Sequence, residues 1–230
     1  NLTLVFSLLT ATIIGAGGFW FTRWYFKDKH SDDQTEYPRK KRILFIVITL
    51  LIFAAVSVCL PLMTDLQERS MFEVLRAVSA ILGLYYAAII DWKFQLIPNR
   101  YLLGFLALTL VLLAAEALTD FSGFRATIVL SLIGSAVCGG IFLLTNLLSH
   151  NGLGMGDVKL VFILGLLLGL DDTLAGLLWT FVFSAIAGIV LLIRKKAKMK
   201  TKIAMGPFFF LGFLCSNIMY IISGFSEVQL

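Results

Sequence analysis

The chain contains long runs of apolar residues, and these runs constrain its fold more than any other feature. A hydrocarbon core of about 30 Å requires about 20 consecutive helical residues. Without period-two alternation, the runs predict helices and not barrel strands. Eight segments meet or approach the required length, the sixth being short: Leu2–Thr22, Ile43–Met63, Met71–Ile90, Tyr101–Leu118, Ala126–Leu148, Val158–Leu170, Thr173–Ile193 and Ile203–Ser223.

Composition excludes a soluble or disordered chain. Of the 230 residues, 59% are hydrophobic and 14% are charged, whereas a soluble domain is about half apolar and a quarter charged. The polar residues are therefore too few to cover a globule. No linker divides the chain into two folding units. We therefore predict an all-α, polytopic integral membrane protein with about eight transmembrane helices, forming a single membrane-embedded domain over residues 1–230.

The basic residues predict the orientation of the helices. Sixteen of the nineteen Lys and Arg residues fall in four connections: Arg23–Arg42, Asp91–Arg100, Ser149–Lys159 and Arg194–Lys202. The positive-inside rule places these connections in the cytoplasm and both termini outside, as expected for an inner (plasma) membrane protein. Sidedness also explains the net charge of +5, so nucleic acid is not needed as a partner. The Arg194–Lys202 connection is expected to contact anionic lipid.

The three cysteines do not predict a metal site. Cys59, Cys138 and Cys215 lie far apart inside apolar runs, and the sequence has no CxxC pair. Thiolate zinc sites require clustered cysteines. We therefore expect three small buried hydrophobic side chains, and no metal.

Two acidic residues are candidates for chemistry. Asp91 and Asp157 are each flanked on one side by apolar sequence, in connections predicted to be cytoplasmic. An unbroken helix from Asp157 to Asp171 would be about 21 Å long, which is shorter than the bilayer and would place Asp157 at membrane depth. Acids near the outer face or at helix ends, such as Glu116 and Asp171, are expected to be solvated surface charges.

Two carboxyl groups that meet in a partly desolvated site share a proton, because both cannot ionise easily. One then acts as a base on water and the other as an acid toward a carbonyl group, which is the chemistry of aspartic peptidases. The sequence contains neither GxSxG nor HExxH as a rival catalytic motif. Intramembrane acids also mark ion and proton paths, so a small transporter or channel is an alternative.

Three motifs resemble one family, the type IV prepilin peptidases, which are membrane aspartyl proteases of the GxGD class. Gly154 to Leu160 reads GMGDVKL and resembles the family's GxGDxKL motif. Asp91 to Asn99 reads DWKFQLIPN and resembles the family's first-aspartate segment. Met205 to Phe208 is similar to its GPF element. The motifs occur in the family's order and extend over most of the chain from the third predicted helix onward.

The resemblance implies an endopeptidase that removes a short basic leader from prepilins or pseudopilins. These substrates carry a hydrophobic helix behind the leader, and cleavage falls at the inner edge of the membrane, usually after Gly or Ala. The resemblance assigns catalysis to Asp91 and Asp157. It assigns site-shaping roles to a second group: Gly154, Gly156, Lys159, Ile97, Pro98, Asn99, Gly206 and Pro207. Backbone groups freed where Gly206-Pro207 interrupts the last helix are expected to pair with an extended substrate.

The sequence departs from the family in one loop. Many members carry a longer cytoplasmic domain after the first helix, with two CxxC pairs that bind zinc, and they methylate the new substrate terminus with S-adenosylmethionine. Residues 23–42 here form a short basic connection without cysteine. We therefore expect a peptidase without N-methyltransferase activity and without a cofactor. An intramembrane protease of presenilin type is a further alternative, but the last predicted helix has no proline-alanine-leucine element.

Overall fold

The computed structural model describes residues 70–149, 153–193 and 204–227. These ranges contain α-helices, one π-helical turn and no strand, which confirms the all-α prediction for the described residues. The helices are α1 (Met71–Phe94), α2 (Asn99–Thr119), α3 (Phe121–Gly134), α4 (Gly140–Leu148), α5 (Met155–Leu168), α6 (Leu170–Ile193) and α7 (Gly206–Glu227). The π-helical turn, Ser135–Gly139, joins α3 to α4 in one continuous rod.

Five helical segments in the described residues are long and apolar enough to cross a membrane. They are α1, α2, the α3–α4 rod, α6 and the first part of α7. By length and composition they make the chain a multi-pass membrane protein. The predicted helices Leu2–Thr22 and Ile43–Met63 and the basic connection at 23–42 lie outside the described residues. The total of eight helices and the outer position of both termini therefore stay predictions.

Helix α1 is the centre of the bundle. It is buried along most of its length, and Leu84, Ala87 and Ile90 are fully covered. Helices α2, α6 and the α3–α4 rod expose large apolar side chains such as Leu103, Leu132 and Leu178. In a membrane protein these outward faces contact lipid tails, so their exposure is expected.

Small residues allow the helices to approach closely. A Cβ atom added to Gly165 of α5 would lie 2.6 Å from the carbonyl carbon of Gly134, so the two backbones touch at this crossing. A Cβ atom on Gly139 would lie 2.4 Å from the ring of Phe162. Contacts of this kind are typical of helix packing in membranes, where dispersion replaces the hydrophobic effect.

Helix α5, predicted as Val158–Leu170, both begins and ends earlier in the chain than the sequence predicts. It ends at Leu168, and Gly169 follows with φ +82°, a positive φ that glycine adopts without strain. Helix α6 then begins at Leu170, so Asp171 lies in the first turn of a new helix. The predicted unbroken helix from Asp157 to Asp171 is therefore wrong, and the 21 Å argument for the depth of Asp157 no longer holds.

The interpretation of Glu116 as a surface charge is also wrong. Glu116 is 4% exposed and accepts a hydrogen bond of 3.0 Å from the buried guanidinium of Arg76. Its other oxygen accepts a 2.9 Å bond from the hydroxyl of Thr127. The carboxylate thus connects α1, α2 and α3, about 22 Å along α1 from Asp91. A buried charge is tolerated because it is paired and hydrogen-bonded.

Candidate active site

Asp91 lies near the end of α1, where the chain turns back toward the bundle. The helix continues past the predicted boundary at Ile90 and ends at Phe94. Gln95, with φ 49°, closes the helix by donating its N–H to the carbonyl of Asp91. The side chain of Asp91 is 5% exposed. A carboxylate loses its hydration when it is buried, which costs free energy. Its burial at a helix end therefore favours a chemical role over that of a solvated surface charge.

Asp157 lies in the first turn of α5, directly after the glycine-rich motif. Gly154 precedes the helix with φ −68°, so it adopts an ordinary extended conformation. Glycine is needed here because there is little space for a side chain: a Cβ atom on Gly154 would lie 3.0 Å from Oδ2 of Asp157. The carboxylate therefore folds back over the start of its own helix, where helix N–H groups favour a negative charge.

A cavity of about 280 Å³ brings the two carboxyl groups together. Its walls include eight of the ten residues that the sequence predicted for the site; Gly206 and Pro207 are the other two. Sequence reasoning assigned no role to three further lining residues, although all three lie within or beside the quoted motifs: Gln95, Leu96 and Met155. Leu96 and Met155 are 54% and 50% exposed. The signal that the sequence offered was their position within or beside the two motifs.

Gly206 contacts Asp91 directly from the start of α7. Its N–H donates to Oδ2 of Asp91 at 2.7 Å. A Cβ atom at position 206 would lie 2.9 Å from Cβ of Asp91 and 3.0 Å from Cα of Ala88, so only glycine fits this approach. Pro207 follows in the first turn of α7, where its missing N–H is not needed.

The expectation that Gly206-Pro207 frees backbone groups for the substrate is wrong for this first turn. The Gly206 N–H is bonded to Asp91, and Pro207 has none. The N–H groups of Phe208 and Phe209 both donate to the carbonyl of Met205, at 3.0 Å each. The N–H groups of this turn are therefore bonded within the protein, and the turn contributes to the site by holding Asp91.

Two contacts join the segment after α1 to the glycine-rich motif. A Cβ atom on Gly156 would lie 3.1 Å from Cβ of Ile97 and 3.2 Å from its carbonyl oxygen, so the two segments pack backbone to backbone. The ammonium of Lys159 donates a 2.9 Å hydrogen bond to Oδ1 of Asn99. Asn99 begins α2 and Lys159 lies in the first turns of α5, so the bond ties together the two helix starts that border the cavity.

The environment of Asp157 favours its protonated form. Asp157 lies outside the five candidate membrane-spanning helices. Burial, and secondly the nearby charge of Asp91, raise the pKa of Asp157 to about 7, and a backbone hydrogen bond from Gly154 opposes this only in part. Below about pH 7 Asp157 is therefore mostly protonated, beside the charge of Asp91. One carboxylate and one carboxylic acid facing the same cavity can act as base and acid in turn.

The described residues contain no group of three or more His, Cys, Asp or Glu side chains placed to hold a metal ion. Cys138 and Cys215 are free thiols; Cys138 is buried as expected for a small hydrophobic residue, whereas Cys215 is only partly buried, so the prediction is wrong for it. Cys59 lies outside the described residues.

Comparison with known proteins relates the chain to leader peptidases. The model of the type IV leader peptidase family matches residues 78–193, about half of the chain, including both aspartates but not Gly206. A prepilin leader peptidase/N-methyltransferase of Bacillus subtilis (strain 168) is 28% identical over 153 residues, covering 66% of this chain and 58% of that relative's length. No solved structure matches the chain significantly. The extent of the family match is decisive: the chain belongs to the type IV leader peptidase family.

Proposed function

We propose that this protein is a membrane aspartic endopeptidase that removes the short basic leader from type IV prepilins or pseudopilins. The observation that carries the proposal is the cavity that Asp91 and Asp157 line together. The nearby charge of Asp91 helps to raise the pKa of Asp157, as expected where one carboxyl group faces another. Family membership supports the substrate class, and the relative from Bacillus subtilis is named for the same activity.

The mechanism follows from the position of the shared proton. Asp91, which accepts the N–H of Gly206, is the carboxylate and takes a proton from a water molecule. The water oxygen attacks the scissile carbonyl carbon while Asp157 donates its proton to the carbonyl oxygen. When the tetrahedral intermediate collapses, Asp157 recovers its proton, the C–N bond breaks and the leaving amine takes the proton from Asp91. The pair thus returns to its starting state with one proton.

The remaining predicted site residues shape this cavity in the proposal. Gly154 leaves room for the carboxylate of Asp157, and Gly156 allows close contact with Ile97. Pro98 lies before α2 in an extended conformation, and the Asn99–Lys159 hydrogen bond holds the starts of α2 and α5 together. Chemistry of this kind tolerates little displacement, since a shift of about 1 Å at the reacting groups costs about 100-fold in rate.

We further propose that the cavity faces the cytoplasm. It lies at the end of the bundle where α1 ends and α2 and α5 begin, next to connections that the positive-inside rule places in the cytoplasm. Trp92, beside Asp91, is 76% exposed and suits an interfacial position. A basic leader on the cytoplasmic side of the inner membrane would meet the cavity there.

The direct test is cleavage by purified full-length protein in liposomes. The substrate is a prepilin with a basic leader and a hydrophobic segment, and the product is read by mass spectrometry. We expect cleavage at the junction between the leader and the hydrophobic segment. An intact prepilin after prolonged incubation with folded protein would contradict the proposal.

Family membership already speaks against the transporter or channel alternative, because the matched family consists of leader peptidases.

Cleavage is expected to fall as the pH rises through about 7. The raised pKa of Asp157 keeps its proton in place below about pH 7, and the proton is lost above it. Loss of that proton removes the acid from the mechanism, so the alkaline limb of the rate should have its midpoint near pH 7. Initial rates measured between about pH 5 and 9 check this. A rate that stays constant across the alkaline half of this range would argue against Asp157 as the acid.

We also propose that the product keeps a free amino terminus. Residues 23–42 contain no cysteine for a zinc-bearing loop, although the relative's name includes N-methyltransferase. The measurement is the mass of the first residue of the mature pilin, made in cells where this is the only processing enzyme and S-adenosylmethionine is available. A mass increase of one methyl group would overturn this part of the proposal and leave the peptidase intact.

A further inference from the structure

A second cavity adjoins the first and lies along α2 and α5. Its volume is about 500 Å³, within the range of about 300–1,000 Å³ for pockets that bury ligands. It shares Asn99 and Lys159 with the cavity of the carboxylates, so the two spaces meet at this hydrogen-bonded pair. The other lining residues are apolar except for one serine: Leu102, Leu103, Leu106, Ser135, Phe162, Ile163 and Leu166.

This second cavity is a groove whose walls are mainly two helices that start at the candidate active site, with Ser135 of the π-helical turn as the remaining lining residue. Helix α2 supplies the residues from Asn99 to Leu106, and α5 supplies those from Lys159 to Leu166. Each wall covers seven residue steps, about 10 Å or two helical turns. Both helices begin at the carboxylate cavity and run away from it. One end of this largely apolar groove therefore lies at the carboxylate cavity.

The polar atoms of the groove are concentrated at the active-site end. Lys159 and Asn99 bond to each other there, at 2.9 Å. Farther in, the hydroxyl of Ser135 is satisfied by donating to the carbonyl of Phe162 at 2.9 Å. Leu103 is 65% exposed. Beyond the Lys159–Asn99 pair, the walls thus offer dispersion contacts and little hydrogen bonding, a surface that suits an apolar helix and not an extended polar chain.

We propose that this groove between α2 and α5 binds the first two turns of the substrate's hydrophobic helix. The inference rests on the proposed function. If the scissile bond lies between Asp91 and Asp157, the chain on the product side must continue within a few ångströms of them. The groove is contiguous with the carboxylate cavity and is long enough for about seven residues. It would select substrates by the bulk of that segment and align the scissile bond.

Filling the groove should weaken cleavage of a full prepilin. Leu106→Trp places a larger side chain in the groove, whereas Val111→Trp, about 140° around α2 from Leu106, does not. Val111 is 63% exposed, so it is a matched control. We expect Leu106→Trp to lower kcat/KM for the prepilin by about tenfold, and Val111→Trp to leave it unchanged. A soluble peptide that stops two residues beyond the scissile bond should be cut equally well by the wild type and both variants.

A photo-crosslinking residue at position 106 tests the occupant itself. In full-length Asp157→Asn protein in nanodiscs, we expect it to capture the hydrophobic segment of the uncut prepilin, and a crosslinker at position 111 to capture lipid. Capture of residues 43–63 of the same chain, or of lipid alone, at position 106 would overturn the inference. Normal prepilin kinetics in Leu106→Trp would overturn the groove and leave the peptidase standing. A wild-type protein that cuts no prepilin would instead refute the proposed function.

Discussion

Replacing either aspartate by asparagine is expected to lower the cleavage rate of a prepilin at least about 1,000-fold. Asparagine keeps the size and shape of the side chain, and an amide oxygen at position 91 can still accept the N–H of Gly206. What it loses is the proton that the pair exchanges with water and the scissile amide. The expected result is the same for Asp91→Asn and Asp157→Asn, because each group needs the other.

A second acidic residue serves as the control. Asp171→Asn removes an exposed carboxylate from the first turn of α6 and is expected to leave the rate unchanged. Turnover is measured with purified protein in liposomes, and thermal unfolding of each variant shows that the fold survives. Turnover by Asp157→Asn or Asp91→Asn near the wild-type rate would remove that residue from the mechanism and give it a structural role.

Replacing Gly206 by valine is expected to lower the rate about 100-fold while both aspartates remain in place. The first added carbon would already lie 2.9 Å from Cβ of Asp91 and 3.0 Å from Cα of Ala88. Neither neighbour is the end of a flexible side chain, so α7 must shift away from α1. The shift removes the 2.7 Å hydrogen bond that orients Asp91.

A glycine in open space provides the matched control for Gly206. A Cβ atom on Gly104 of α2 would meet nothing within 4 Å, so Gly104→Val is expected to keep full activity. The informative measurement is kcat, since the loss arises from misplacement of Asp91 and not from weaker substrate binding. Wild-type kcat in Gly206→Val would show that the approach of α7 to Asp91 is not needed for cleavage.

The helices and the two motifs were predictable because they are local properties of the chain. Apolar runs of about 20 residues indicate membrane helices, and each run can be found without knowing any tertiary contact. Five such predictions are matched by candidate spans in the described residues. Likewise, Asp91 and Asp157 were singled out by their neighbours in sequence, without knowledge of any contact. The same local reasoning did not predict the helix end at Gly169, where a glycine with positive φ ends α5 within an apolar run.

The missed features depend on residues far apart in the chain. Glu116 was misjudged because its partner, Arg76, is 40 residues away on another helix. Nothing in the sequence around Gly206 states that its N–H reaches Asp91, 115 residues earlier. The hydrogen bond between Lys159 and Asn99, 60 residues apart, was equally invisible. Apolar helices offer many ways to pack, and the sequence of one helix does not say which neighbour it will meet.

The sequence by itself determined that this chain builds membrane helices and carries two carboxyl groups beside turns, because hydrophobicity and turn chemistry act over a few residues. Only the tertiary structure decided that these carboxyl groups line one cavity, that α7 holds one of them, and that an apolar groove leads away between α2 and α5. The physical reason is that the raised pKa of Asp157, on which its proposed role as the acid depends, comes from burial and a neighbouring charge. Both exist only after helices that are distant in sequence have packed together.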